Sequence, residues 1–310
     1  MLAAFLTTIL FSLSVLFASR TTRVLGGIRA NFYRLCISTV LLAIWAHAFG
    51  HGFGGGAFGL FFLSGCIGFG AGDIALYQAI PRLGPRLAIL MVQCGAAPVG
   101  ALTEWIWMGT TLTLAQAVSG LIILAGVAIA LAPGEHLHIP PRTLFRGVLL
   151  GVVAALGQGV GAVVSRKAFA VSEAAGHEVN SLAFGLTSAY QRILGGLLLG
   201  AITFFWLASM RSRRTGGADP GPRPRRDARR LWAWITLNSL AGPVLGVGCY
   251  QWALATTKTG VVLPIVATTP LVVIPFAYLM EGERPGPRSL LGGVIAVGGV
   301  VGLTLSQQSS

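Results

Sequence analysis

The sequence predicts an all-α membrane protein of ten transmembrane helices, built as two inverted five-helix repeats. Composition is the first ground: of 310 residues, 54% are hydrophobic and only 10% charged, with a mean hydropathy of +0.77. A soluble domain carries about 25% charged residues, so this balance belongs in lipid. The second ground is a set of apolar windows long enough to span a bilayer, near 2–18, 30–49, 57–80, 85–108, 113–132, 147–169, 182–209, 231–255, 260–280 and 287–306. The third is internal repetition. GAGDIALYQAIPRLGPRL (70–87) lies over GVGCYQWALATTKTGVVL (246–263) at a constant offset of 176, pairing Gly70 with Gly246, Gly72 with Gly248 and Gly84 with Gly260. Each copy closes one apolar segment, turns through a glycine and opens the next.

Taken in order, the stretch MLAAFLTTILFSLSVLFASR lacks a basic leading region and a small-x-small cleavage site. It is expected to be the first membrane helix rather than a removable signal peptide. Repetition continues beyond the opening pair. At an offset of 173, Gly109, Gly120, Ile122, Gly126 and Val127 meet Gly282, Gly293, Ile295, Gly299 and Val300. Phe32-Tyr33-Arg34 matches Tyr190-Gln191-Arg192, and Ser19-Arg20 matches Ser165-Arg166. An odd number of spans per repeat forces the halves into opposite orientations and places a shared cavity between them. The first repeat is assigned to 1–133, a connection to 134–146 and the second repeat to 147–310.

Within these limits the small and special residues have simple expected roles. The pairs Gly68/Gly72 and Gly242/Gly246 have the spacing of close helix packing. Pro98 in the fourth span, and Pro264, Pro270 and Pro275 in the ninth, should kink corresponding segments. Cys36, Cys66, Cys94 and Cys249 sit in apolar stretches without paired spacing, which indicates neither a disulfide framework nor a zinc site. The segment 210–230 carries eight arginines among Pro and Gly and is expected to be a disordered, cytoplasmic loop.

Net charge is +13, and most of it flanks the apolar spans. Topology signalling accounts for those residues, so nucleic acid is not an expected partner. The connections 1–2, 3–4, 5–6, 7–8 and 9–10 hold seventeen Lys/Arg against Arg166, Lys167 and Lys258 on the other side. This bias places both termini outside the cell.

The five-plus-five layout, Arg34 and Arg192 early in the second span of each half, and the phrase YLMEGERPGPRSLLGGVIAVGGVVGL resemble the EamA-type drug/metabolite transporters. In that family the fourth helix of each repeat commonly ends in a Gly-Glu turn. Gly282-Glu283 fits, whereas the first half has Gly109-Thr110. The resemblance implies a multi-pass transporter of the cell (inner) membrane. It also implies cytoplasmic termini, the reverse of the charge count, and a cargo of metabolites or lipophilic drugs with export as the direction.

Chemistry-bearing residues at membrane depth are few, which makes each informative. Asp73 lies inside the third span with Tyr77 one turn on; an ionised carboxylate there must be paired or hydrated, so it should face the bundle interior. It is the candidate for proton coupling or cation binding, and its repeat counterpart is Cys249. Tyr77 and Gln78 in one half, and Tyr250, Gln251 and Trp252 in the other, supply hydrogen-bonding groups and flat faces for a solute cavity. Gln93, Gln158 and Asn238 add polar groups within the fourth, sixth and eighth spans. Arg34 and Arg192 are expected to snorkel to lipid phosphate, and Glu104, beside Trp105 and Trp107, to lie at an interface.

No HExxH, Walker loop or GxSxG occurs, the His136/His138 pair is isolated in a connection, and no cofactor or metal is expected. The expected function is secondary transport of a small organic solute by alternating access, with lipids around the protein and a homodimer compatible with the sequence. The alternative is an integral membrane enzyme or lipid-handling protein, which needs a catalytic cluster that the sequence does not offer.

Overall fold

The structure, a computed structural model, describes residues 1–83, 85–131, 140–215, 228–273 and 286–308, and no strand occurs among them. Seven helices are long and apolar enough to cross a membrane. They are α1 (Leu2–Leu25), α2 (Gly27–Ala48), α3 (Phe58–Leu83), α4 (Pro85–Met108), α6 (Pro141–Ala174), α7 (Leu182–Thr215) and α8 (Ala228–Thr256). Three further helices, whose apolar segments are shorter, stand where the fifth, ninth and tenth spans were expected: α5 (Leu114–Leu131), α9 (Thr259–Val273) and α10 (Pro287–Gln308). The protein is therefore a multi-pass, all-helical membrane protein. The Gly282-Glu283 turn, Pro275, His136, His138 and positions 216–227 of the Arg-rich loop lie outside the described residues.

Several helices overrun their apolar windows. The first extends to Leu25, and α6 runs from Pro141 to Ala174. Once nucleated, a helix gains one backbone bond per added residue, so it continues into polar sequence where nothing stops it. Gly26 stops α1: at φ 76° its N–H donates to Thr22 O at 2.9 Å, and α2 begins at the next residue.

Helix packing sets the frame of the site. α1 packs on α8 and α9, α6 on α3 and α4, α2 on α7, and α5 on α10. Small residues carry the crossings. A Cβ built on Gly157 would lie 2.7 Å from Gly72 Cα, so α3 and α6 touch backbone to backbone. A Cβ on Gly65 would lie 1.7 Å from Arg192 O, which fixes α3 against α7. On the opposite side, Gly242 meets Ser14 and Gly246 meets Phe11, both of α1. Both glycine pairs thus sit in close crossings, as their spacing indicates.

Two helices change gauge in mid-course. Cys66–Gly72 of α3 and Leu240–Val244 of α8 are π turns, and these windows overlap when the halves are aligned at the offset of 176. A π turn widens the helix and re-aims the residues beside it, and it recurs at functional positions. In α9 the helix breaks at Thr268, between Pro264 and Pro270. Pro270 has no N–H for Val266 O, and Thr269 Oγ1 donates there instead at 2.6 Å. Ser12 and Thr8 of α1 donate to Thr269 O at 2.9 Å and to Ile265 O at 3.3 Å. Hydroxyls thus satisfy the carbonyls that the break leaves open.

Candidate functional site

A cavity of about 170 Å³ is lined from α1, α2, α3, α4, α6, α7, α8 and α9. Its walls are apolar, with Phe11, Val15, Phe69, Leu76, Ile89, Val92 and Val247 among them. Into this wall project three charges: Arg34, Asp73 and Arg192.

Each charge is positioned by a local device. Asp73 is the first residue after the α3 π turn, which directs it towards α2. There Arg34 Nη2 donates to Asp73 Oδ2 at 2.5 Å and to Asn31 Oδ1 at 2.7 Å. The Arg34 guanidinium also lies over the Tyr77 ring at 5.3 Å. Its backbone is held too, because Ser239 Oγ donates to Arg34 O at 3.1 Å. Arg192 lies over the Phe69 ring at 5.5 Å, and Gly68 leaves room for its head: a Cβ there would fall 2.9 Å from Nη2. Arg192 is 5% exposed, and its Nε and Nη1 are buried without a hydrogen-bond partner.

The neutral polar groups complete the lining. Gln158 Nε2 donates to Gln93 Oε1 at 3.0 Å, joining α6 to α4 on the cavity lining. Tyr250 contributes a buried hydroxyl with no partner, its ring 6.2 Å from that of Phe11. Ser14 lines the cavity and donates to Asn238 Oδ1 at 2.7 Å, so Asn238 supports the wall from behind.

A second, larger cavity of about 460 Å³ opens at the end where α1 turns into α2 and α3 ends. Arg29, Tyr33, Gln78, Arg82 and Phe204 line it, and Tyr77 stands on its wall. Tyr77 therefore touches this vestibule with one face while its ring carries Arg34 of the central cavity.

Of the residues singled out by sequence, Asp73, Gln93, Gln158 and Tyr250 meet on the central cavity. Tyr77 and Gln78 line the vestibule instead, where the Gln78 backbone oxygen accepts from Arg82 Nη1 at 2.5 Å. Gln251 and Trp252 line neither cavity. Gln251 is fully buried with both amide atoms unpartnered, and Trp252 Nε1 donates to Asn180 Oδ1 at 3.1 Å. Their helical neighbour Tyr250 takes the inward direction, and successive residues on a helix point about 100° apart.

The sequence of this helical bundle also carries a family profile. That profile, the EamA-like transporter family, matches residues 1–132 and 145–305. The chain belongs to the EamA-like transporter family. This family is part of the drug/metabolite transporter superfamily. A solved structure described as "Crystal structure of protein" superposes with a TM-score of 0.73 at 17% identity, covering 99% of this chain and 97% of its own. That likeness shows a shared fold. No curated protein matches the chain in sequence.

The two arginines are the main correction to the sequence reading of this EamA-like chain. Both are buried, at 8% and 5% exposure, and face the cavity rather than lipid phosphate. A charge held inside a bilayer costs about 3 kcal/mol on insertion scales, so each needs a use or a partner. A signal for them exists: Asn31 and Ser38 flank Arg34 at −3 and +4, and Ser188 precedes Arg192 by four. Polar residues recurring at helical spacing mark an inward face. Glu104, too, is buried within the bundle. It is 2% exposed, pairs with Arg166 Nε at 2.6 Å and accepts from Thr259 N at 2.7 Å.

Proposed function

We propose that this chain is a secondary transporter that carries a small organic solute through the central cavity by alternating access between two inverted halves. The observation that carries the reading is the cavity itself, enclosed by four helices from each half and holding the Arg34–Asp73 pair. Two further facts support the inverted arrangement. The family profile matches in two stretches, one per half. The α5–α10 crossing is also reciprocal: Gly126 packs on Gly292 and Ala296, while Gly299 packs on Ser119 and Ile123. At the offset of 173 these are the same contact read in opposite directions, as a two-fold axis between repeats requires.

Ten membrane crossings follow if α5, α9 and α10 span together with the seven longer helices. Solute reaches the centre from the vestibule past Tyr77, and rocking of the halves opens the other side. Coupling runs through Asp73. The titratable groups facing it are Arg34 of α2, Arg192 of α7, and Tyr77 on its own helix. Protonation of Asp73 releases Arg34, which links a proton to the state of the cavity.

The test is pH-dependent solute exchange in proteoliposomes, read in the direction of export. Wild type exchanges solute with a pH dependence, and Asp73→Asn exchanges without one. An unchanged pH profile in Asp73→Asn removes the coupling role, and an absence of counterflow with every solute class tried removes the transporter reading.

A further inference from the structure

The charges on the central cavity do not cancel. Arg34 and Arg192 stand against Asp73, which leaves one cation in excess. Asp73 lies in ion-pair contact with Arg34, and among the described residues no carboxylate lies within ion-pair distance of Arg192. Arg192 is nine-tenths buried, keeps Nε and Nη1 without acceptors, and sits beside the similarly unpartnered hydroxyl of Tyr250. Buried donors of this kind are costly unless an acceptor arrives to satisfy them.

We infer that the cavity binds a small organic monoanion, its carboxylate held by Arg192 and its remainder lying against the apolar wall and the Gln93–Gln158 amides. A guanidinium offers a planar fork of donors that matches a carboxylate. A single excess charge selects a monoanion over a dianion such as phosphate, which would leave a net negative charge in an apolar enclosure. A volume of about 170 Å³ admits a solute of a few heavy atoms beyond its carboxylate. Gly68 permits the geometry, because a side chain there would displace the guanidinium. The inference rests on the transporter reading for its purpose but not for its chemistry, since binding is an equilibrium property of the cavity.

Thermal unfolding of the purified protein at fixed ionic strength and about pH 8.5, where inorganic phosphate is a dianion, tests it with four probes: isobutyrate, its neutral isostere isobutyramide, isobutylamine and inorganic phosphate. Isobutyrate is expected to raise the unfolding midpoint with saturation, while the amide and amine leave it unchanged and phosphate gives a smaller rise. Equal shifts for acid and amide, no shift for the acid, or a larger shift for phosphate overturn the monoanion assignment. Arg192→Gln is expected to lose the isobutyrate shift and to leave the empty protein as stable as wild type or more so, because an uncompensated charge is removed. A variant that still responds to isobutyrate overturns the role of Arg192. Should that variant fail to fold, Arg192→Lys, which keeps the charge but not the fork, must weaken the response at least tenfold. Counterflow separates the two readings. Isobutyrate that binds, with no exchange of it or of any other solute class, leaves the site standing and removes the transporter. Exchange of neutral or cationic solutes that isobutyrate does not inhibit does the reverse.

Discussion

Glu104 and Arg166 meet at 2.6 Å and tie α4 to α6, with Glu104 also accepting the first free N–H of α9 from Thr259. Arg166 in turn donates to Leu254 O and Thr257 O, the carbonyls at the end of α8. One buried pair thus joins four helices at a point where α8 ends and α9 begins. This is structural use of charge: one N–H at the start of α9 and two carbonyls near the end of α8 find their partners here. Glu104→Ala leaves the part-buried Arg166 without its carboxylate and Thr259 N–H without its acceptor, and the expected cost is roughly 1–3 kcal/mol of stability. Thermal unfolding in detergent measures it, and a variant as stable as wild type contradicts the assignment.

Close crossings make an equally sharp prediction. A Cβ on Gly65 would collide with Arg192 O, whereas a Cβ on Gly59 in the same helix meets nothing within 4 Å. Gly65→Ala must push α3 away from α7, and overpacking of this kind costs roughly 1–3 kcal/mol or more. It should also disturb solute binding, because Arg192 is carried on the displaced backbone. Gly59→Ala is the control and should match or exceed wild-type stability, since alanine favours the helix by about 1 kcal/mol. Equal behaviour of the two variants in yield and unfolding midpoint refutes the crossing.

The fold was legible because lipid imposes a length and a polarity on every span, and both are written in the sequence. The positions of α2, α4 and α7 follow from apolar runs alone. Direction is harder, since adjacent helix residues diverge by about 100°, and depth along the sequence does not reveal which one faces the cavity. Tyr250, Gln251 and Trp252 illustrate this: three consecutive polar or aromatic residues, of which one lines the cavity. Arg34 and Arg192 were misplaced for a related reason. Proximity to a helix start suggested an aqueous end, but α2 begins at Gly27 and places Arg34 two turns in. The π turn that aims Asp73 has no proline to announce it, and depends on packing between α3 and both α6 and α7.

Trp252 and Gln158 provide a paired test of that placement. Trp252 is bonded to Asn180 in the connection before α7, away from both cavities. Trp252→Phe should lose that one hydrogen bond, about 1 kcal/mol, with solute exchange unchanged. Gln158→Leu removes a cavity donor and leaves Gln93 Oε1 without its partner. Exchange should then fall severalfold, and the orphaned Gln93 acceptor should cost the empty protein about 1–3 kcal/mol. The reverse order of effects would place the solute path near Asn180.

Charge counting in the central cavity extends to its acid. Asp73 neutralises one of two arginines, so Asp73→Asn leaves both Arg34 and Arg192 uncompensated on the same enclosure. Breaking a buried pair in this way costs roughly 3–5 kcal/mol in the empty protein, although Arg34 keeps its bond to Asn31 and its place over Tyr77. Anions should recover part of that loss. With two guanidinium groups free, the preferred ligand changes from a monoanion to a dianion, and phosphate should raise the unfolding midpoint of Asp73→Asn more than isobutyrate does. Wild type should keep the opposite order. A ranking of anions that is the same in both proteins would mean that Asp73 does not set the charge of the cavity, and that Arg34 and Arg192 act independently of it.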